Sequence, residues 1–435
     1  MSAATVAGAS AIGADLGRIV GTANVEVRPA ALVPYRTDAT FGFSGIPRAV
    51  VRPGSTDEVS RSLRWANQLG VPVVPRGAGT SLAAGVLPAT LEFLDARSAC
   101  PTYELSGDEA SSPRGRIALM RAIDQGTVGV FDAVAREQGA FCLGGRACEP
   151  VCPAGVPYGR LLEDLRNAQW KGRRRPLRVR PLLTFATSRL LIRLVGILRR
   201  HARFTPGNRI DDGADKLMLG CFERTLFPAV SRAAAGTLLG LQVPRDQGCC
   251  GAPHAHNGDV ARGAQLAREL VARSGRIVST AGGCAAHLST VAGRDRIVDY
   301  PEALLERGSL PGPILVDGRP ARIGLQDSCH LRNGMGVASP PRQVLRALGS
   351  YIEVPGAGDC CGAACTYALV RRRESRRILA AKLAVFAELD LDFLAVVNPG
   401  CQRQLIAGVR RARLRTRVLH LAELVALAQA ESSRR

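Results

Sequence analysis

The stretches GCCGAPHAHNGD (residues 248–259) and DCCGAACTYAL (residues 359–369) each place an adjacent cysteine pair before a glycine. Adjacent cysteines rarely bond to each other, because the eight-membered ring strains the peptide. Two thiolates on one tight turn can instead reach neighbouring metal ions, and glycine lets the backbone bend there. Working outward, Cys221 precedes the first pair and Cys284 follows it; Cys329 precedes the second pair and Cys401 follows it. Cys329, Cys360 and Cys401 trail Cys221, Cys249 and Cys284 by 108, 111 and 117 residues, so the C-terminal half contains an internal repeat. In both copies the first cysteine ends an apolar run (KLMLGC, 216–221; ARIGLQDSC, 321–329), and helical segments such as 372–389 lead into runs such as 393–397. That alternation predicts two α/β units with largely parallel sheets. It puts the cysteines at strand ends, the usual side for ligand sites in such sheets. Soft thiolates select iron–sulfur clusters or zinc. Buried structural cysteine explains one such residue but not two parallel sets.

The rest of the composition narrows the field. At roughly 100–200 residues per domain, 435 residues imply two to four domains. Hydrophobic residues at 46% and charged residues at 22% are those of globular protein. No run of about 18 apolar residues lacks charge, and the N-terminus has Asp15 and no early basic residue, so neither a membrane span nor a secretory signal is expected. Thirteen cysteines then read as metal or redox chemistry in a cytoplasmic protein. The formal charge of +21 suggests an anionic partner, but only three of the 58 basic residues are lysine and aromatics are 4%. Base-stacking platforms are scarce, so no nucleic-acid partner is expected.

The middle of the chain carries further cysteines beside prolines. CPTYELSGDEASSPRGR (100–116) and CLGGRACEPVCPAGVPYGR (142–160) are fragments of a two-cluster ferredoxin pattern, C-x2-C-x2-C-x3-C-P, whose fourth cysteine serves the other cluster. The first motif keeps only Cys100-Pro101. The second has Cys142, Gly145 where a cysteine is expected, Cys148 and Cys152-Pro153. By that rule one cluster has Cys142, Cys148 and Cys100, and the other has Cys152 alone. Three thiolates can hold a three-iron cluster or a four-iron cluster with an open iron, so at most one cluster is expected here. Residues 171–180 (KGRRRPLRVR) form a basic linker, and 182–200 reads as one amphipathic helix with Arg189, Arg193 and Arg200 on one side.

These motifs, with DSCHLRNGMG (327–336) and NPGCQRQL (398–405), resemble the glycolate oxidase iron–sulfur subunit and the cysteine-rich "CCG" domain it shares with heterodisulfide reductase. The likeness runs from about residue 98 to 430. It implies cluster ligands at Cys221, Cys249, Cys250 and Cys284, and at Cys329, Cys360, Cys361 and Cys401. The fuller family motif ends Cys-x-x-Cys; here those last positions are His287 and Gln404. His287 could ligate through imidazole or be a hydrogen-bonded histidine. Cys365 could substitute at the second site or be a small core residue. His254, His256 and His330 could donate to cluster sulfurs or carry protons, or simply shape turns.

The front of the chain reads differently. AVVRP, STDEVSRSLRWANQLG and VPVVPRG (49–77) predict strand, helix and short buried strand, with Ser55 or Thr56 as cap and Val59, Leu63 and Ala66 on one helical face. Residues 47–86 resemble the start of the FAD-binding (PCMH-type) domain of the glycolate oxidase flavin subunit. That resemblance makes Pro75, Arg76, Gly77, Ala78, Gly79, Thr80, Ser81 and Leu82 candidate pyrophosphate contacts, with Tyr35 and Thr37 ahead of them. Residues 87–95 resemble a later part of such a flavin chain, and by Tyr103 the likeness is to the iron–sulfur chain. The flavin-like piece is too short to enclose an isoalloxazine.

The expectation is therefore a multi-domain α/β chain. Residues 1–97 are a truncated α+β FAD-binding segment and 98–170 a degenerate helical ferredoxin-like region. Residues 171–213 are a basic linker and amphipathic helix; 214–317 and 318–435 are tandem α/β CCG domains. The resemblance implies an oxidoreductase subunit with [4Fe-4S] or [3Fe-4S] clusters, and leaves FAD binding open. Electrons would pass from a flavin-binding dehydrogenase subunit toward a membrane acceptor, with a peripheral contact at the inner face of the plasma membrane as an option. Two alternatives stand beside it: a heterodisulfide-reductase-like thiol/disulfide oxidoreductase, and a degenerate non-catalytic paralogue. No Ser/His/Asp set or Walker loop is present.

Overall fold

The structure is a computed structural model. It describes residues 9–32, 47–74, 100–152, 155–171, 174–198, 215–238, 240–244, 247–272, 274–308 and 310–434. The candidate FAD loop, 75–82, and residues 33–46 with Tyr35 and Thr37 lie outside the described residues. The chain forms two compact units, Met1–Ala96 with Val151–Val156, and Arg97–Pro150 with Pro157–Arg435.

In the first unit, helix Ala9–Val20 packs on helix Thr56–Gln68, and Val25–Glu26 pairs antiparallel with Val50–Val51. Ser55 caps the second helix, its side chain accepting from the Glu58 N–H. Two expectations need correction. The face that packs inward centres on Ser62 and Ala66, with the Trp65 indole donating to Asp15 at 3.3 Å, while Val59 and Leu63 are exposed. Residues 71–74 form no strand: Gly70 turns with φ of 62°, the Val71 N–H returns to Ala66 O, and Val73 is half exposed.

The second unit holds the repeat. Strands Lys216–Met218, Ile277–Ser279 and Ile297–Asp299 form one parallel sheet. Strands Arg417–His420, Phe393–Val396, Arg322–Gln326 and Ser350–Ile352, in that spatial order, form a second parallel sheet. Helices cover both faces, so the strands are nearly continuous apolar runs; Phe393–Val396 is buried at every position. A single apolar core runs through both repeats, joining Leu217, Val278 and Val298 to Ile323, Leu325 and Phe393. The two α/β halves expected from the alternation are thus present.

Ahead of the repeat this unit is helical: Pro101–Ser106, Pro113–Asp124, Ala133–Phe141 and Tyr158–Trp170. The stretch read as one amphipathic helix is two, Arg180–Thr187 and Arg189–Leu198. Ser188 breaks it with an extended backbone (ψ of 103°), and its hydroxyl caps the second helix by accepting from the Leu191 N–H at 3.2 Å. These helices lie over the first cysteine set: Ala186 and Ile192 cluster with Cys221 and Cys249. The basic linker is also engaged. Arg174 stacks on Phe131, and Arg175 pairs with Asp259 at 3.2 Å.

Each Cys-Cys turn is closed by its glycine. Gly251 has φ of 89° and Gly362 φ of 82°. A Cβ at Gly251 would overlap the Gly263 carbonyl of helix Val260–Val271, and one at Gly362 would lie 2.7 Å from Ser375 O. Gly251→Ala and Gly362→Ala should each lower unfolding free energy by about 1–3 kcal/mol from backbone strain alone, with the carbonyl overlap adding to it. Denaturant titration of each variant checks this; a change within 0.5 kcal/mol, roughly a neutral surface substitution, would contradict it.

Candidate metal centres

In the first repeat, Cys221 sits just past strand Lys216–Met218, Cys249 and Cys250 on the turn before Gly251, and Cys284 in the first turn of helix Gly282–Ala292. All four lie at the carboxyl side of the sheet. Cys221 and Cys249 sulfurs are 4.0 Å apart, and Cys250 and Cys284 sulfurs 3.0 Å. The Gly251 N–H donates to Cys249 Sγ at 3.4 Å. Hydrogen bonds from Cys221, Cys250 and that amide bring the Cys249 thiol down to about 3. Donating to Cys249 and being buried push Cys221 and Cys250 well up.

The second repeat has the same layout. Cys329 follows strand Arg322–Gln326, Cys360 and Cys361 precede Gly362, and Cys401 lies in the first turn of helix Pro399–Arg411. The Gly362 N–H donates to Cys360 Sγ at 3.3 Å, and Asn398 Nδ2 donates to Cys401 Sγ at 3.7 Å. A bond to Cys360 and burial hold Cys329 well above its ordinary value. Cys360 accepts from Cys329, which lowers it, but Cys361 and burial outweigh that and take it up to about 12. Buried Asp327, bonded by Arg332 at 2.7 Å and Arg342 at 3.1 Å, pins the turn that carries Cys329. Gln404, at the missing-cysteine position, donates to Ser375 Oγ at 2.9 Å.

The helical region assembles a third set. Cys100 immediately precedes helix Pro101–Ser106, Cys142 ends helix Ala133–Phe141, and Cys148 lies in the following loop. They line one cavity together with Gly145, Arg116, Tyr158, Cys329 and Cys360. Arg116 Nη1 donates to Cys100 Sγ at 3.7 Å, and the Gly144 N–H and Tyr158 hydroxyl donate to Cys142 Sγ at 3.4 and 3.6 Å. Burial, then Cys142 and Cys100, drive the Cys148 thiol up. Cys152 is half-buried and groups with the first unit.

Among the described residues, no three Cys, His, Asp or Glu side chains converge closely enough to hold a single metal ion. A tetrahedral zinc thiolate site needs sulfurs about 3.8 Å apart all round. In each set one sulfur accepts from the backbone N–H two residues on, the kind of hydrogen bond that sulfur ligands of a polynuclear cluster accept.

The histidines gather elsewhere. A cavity of about 460 Å³ is lined by His256, His287 and His330, by Glu163 and Arg166 of the helical region, and by Cys365. His256 Nδ1 meets Glu163 Oε1 at 2.7 Å, and its ring lies 4.7 Å from His330 and 6.2 Å from His287. Burial favours protonated Glu163, but the His256 bond and the neighbouring histidines bring its pKa below the usual value. Burial, then His256, depresses His287 and His330. His256 Nε2 and His287 Nε2 have no partner among the described residues. His254 lies 3.7 Å from Asp259. Cys365 faces the first repeat: Asn257 Nδ2 donates to its sulfur at 3.7 Å, and its exposed side chain lines the cavity. Glu163, Arg166 and Asn257 carry no spacing signal in the sequence; only their contacts across the fold mark them.

Known proteins share these motifs. A cysteine-rich (CCG) domain model matches residues 217–289 and 323–406, the two repeats. The probable glycolate oxidase iron–sulfur subunit of Bacillus subtilis is 29% identical over 75% of this chain and 90% of its own length. The glycolate oxidase iron–sulfur subunit of Escherichia coli is also 29% identical, with the same coverage. This chain is a homologue of the glycolate oxidase iron–sulfur subunit. A FAD binding domain model matches residues 47–93, and the glycolate oxidase subunit GlcD of Bacillus subtilis is 39% identical over 74 residues, 17% of this chain and 16% of GlcD. The homologue thus carries tandem CCG domains behind a fragment of a flavin-subunit domain.

Arg166 holds this homologue's helical region on its first CCG domain. It is buried and donates to three backbone carbonyls: Gly139 O at 3.0 Å, Cys142 O at 2.6 Å and His256 O at 3.0 Å. Arg166→Leu orphans all three, and at about 1–3 kcal/mol for each unsatisfied buried group it should cost at least about 3 kcal/mol. Chemical denaturation checks the figure, and Arg166→Lys should recover only part of the loss.

Proposed function

We propose that this chain is the iron–sulfur electron-transfer subunit of a flavin-dependent 2-hydroxy-acid dehydrogenase of the glycolate or lactate type. The carrying observation is the pair of equivalent four-cysteine sets, Cys221, Cys249, Cys250 and Cys284, and Cys329, Cys360, Cys361 and Cys401, at the carboxyl ends of two parallel sheets that share one core. In this reading both sets are cluster ligands, and Cys100, Cys142 and Cys148 hold a further [4Fe-4S] or [3Fe-4S] cluster. Iron–sulfur clusters supply one-electron steps at potentials set by charge, hydrogen bonds and burial. The residues of this chain provide those settings. The amides of Gly144, Gly251 and Gly362 and the side chain of Asn398 donate to sulfur, while Ala186 and Ile192 cover the first set.

The reacting flavin is assigned to a partner, because the match to a FAD binding domain covers only residues 47–93. The 2-hydroxy acid is oxidised there, and its two electrons enter this chain singly. Among the described residues no helix is long and apolar enough to cross a membrane. Contact with a membrane acceptor is assigned to helix Arg189–Leu198, whose Leu190, Leu191 and Leu194 are exposed.

Anaerobic purification should return several irons per chain with matching acid-labile sulfide and no flavin. Iron absent after reconstitution would refute the reading. For the membrane face, Leu190→Gln/Leu194→Gln should abolish co-sedimentation with anionic vesicles; unchanged pelleting would remove that assignment. A thiol/disulfide role has one observation in its favour, the Cys365 thiol in the histidine-lined cavity. Reduction of a small disulfide by the isolated chain with an artificial donor, lost in Cys365→Ser, would support it.

A further inference from the structure

The helical region is one cysteine short, and the structure places another cysteine at the gap. Gly145 stands midway between Cys142 and Cys148, where the ferredoxin spacing calls for a ligand. Its φ lies outside the left-handed region, so nothing in the backbone demands glycine. A Cβ built there would point toward Cys329, 3.8 Å from its Cβ and 3.9 Å from its Sγ, an ordinary contact distance. Cys329 lines the same cavity as Cys100, Cys142 and Cys148. The approach is held from both sides: Asn333 Nδ2, from the turn after Cys329, donates to Gly145 O at 2.8 Å, and buried Asp327 anchors that turn through Arg332 and Arg342.

We propose that Cys329 Sγ is the fourth ligand of the Cys100, Cys142 and Cys148 centre, and that this one thiolate is shared with the second CCG set. The inference rests on the iron–sulfur reading above and adds to it. A thiolate sulfur bound to one iron keeps lone pairs for a second, so one cysteine can serve two neighbouring centres. Its contact with Cys360 keeps it in the second set while it closes the first. Binding costs one proton, released to solvent as the iron–sulfur bonds form, with no change of oxidation state. The lost cysteine at 145 is thereby replaced from across the interface, and the two centres meet at a single atom, which leaves no gap for an electron to cross between them.

The test uses the full chain, reconstituted anaerobically, with iron content, Mössbauer and electron paramagnetic resonance as readouts. Cys148→Ala should remove or alter the signal of the helical-region centre, and Cys401→Ala that of the second CCG centre. Cys329→Ala should remove or alter both. Gly145→Cys placed on the Cys329→Ala background should restore the helical-region signal and leave the second CCG signal lost; that rescue also shows the fold intact. Cys329→Ser, nearly isosteric, should shift both signals. A helical-region signal of full amplitude and unchanged shape in Cys329→Ala overturns the proposal. So does a wild-type spectrum that Cys148→Ala leaves unchanged while Cys284→Ala and Cys401→Ala each remove a centre; the electron-carrier reading then survives. Absence of iron from the wild type ends both.

Discussion

Two adjacent thiols on one turn need a residue after them that can reverse the chain while another backbone passes at van der Waals distance. Gly251 and Gly362 meet that need in the left-handed region, with the carbonyls of Gly263 and Ser375 occupying the space where a Cβ would project. Each parallel sheet places one cysteine, Cys221 or Cys329, just past a strand's carboxyl end, and the helices opening at Gly282 and Pro399 carry Cys284 and Cys401.

The thiols are costly to bury in the form a cluster requires. Most are driven above their ordinary values by burial and by each other, and in the first set only Cys249, the acceptor of several hydrogen bonds, is brought low. A cationic metal centre reverses that balance, since thiolates around it are paired rather than repelled. Arginines make several of the contacts that hold this region together. Arg116 reaches Cys100, Arg166 ties three carbonyls across a domain seam, and Arg332 and Arg342 fix Asp327 beside Cys329. Two arginines of the basic linker have partners in the fold, Arg174 on Phe131 and Arg175 on Asp259.

Reading from sequence succeeded where the signal was local or periodic. The strand–helix alternation within the cysteine repeat announced two α/β halves, and the cap was narrowed to Ser55 or Thr56, of which Ser55 makes the bond, because hydroxyl and helix start are neighbours in the chain. It erred where a tertiary partner decides. Residues 71–74 are rich in valine, but a strand needs a neighbour, and none of the described residues pairs with them. The 182–200 pattern is apolar and arginine-rich throughout, yet Ser188 competes for the backbone and splits the helix.

The amino-acid sequence by itself determined the chemical inventory: which residues are thiols, which glycines must bend, which motif positions are empty, and that the strands are parallel and buried. These follow from residue type and spacing, and act over a few bonds. The tertiary structure alone decided which of those groups meet. Gly145 and Cys329 are 184 positions apart and come into contact only because the helical region docks on the second repeat. His256, His287 and His330 share a cavity with Glu163 for the same reason. Such contacts arise from burial of apolar faces against one another, a force without direction or sequence address, so no local pattern records them.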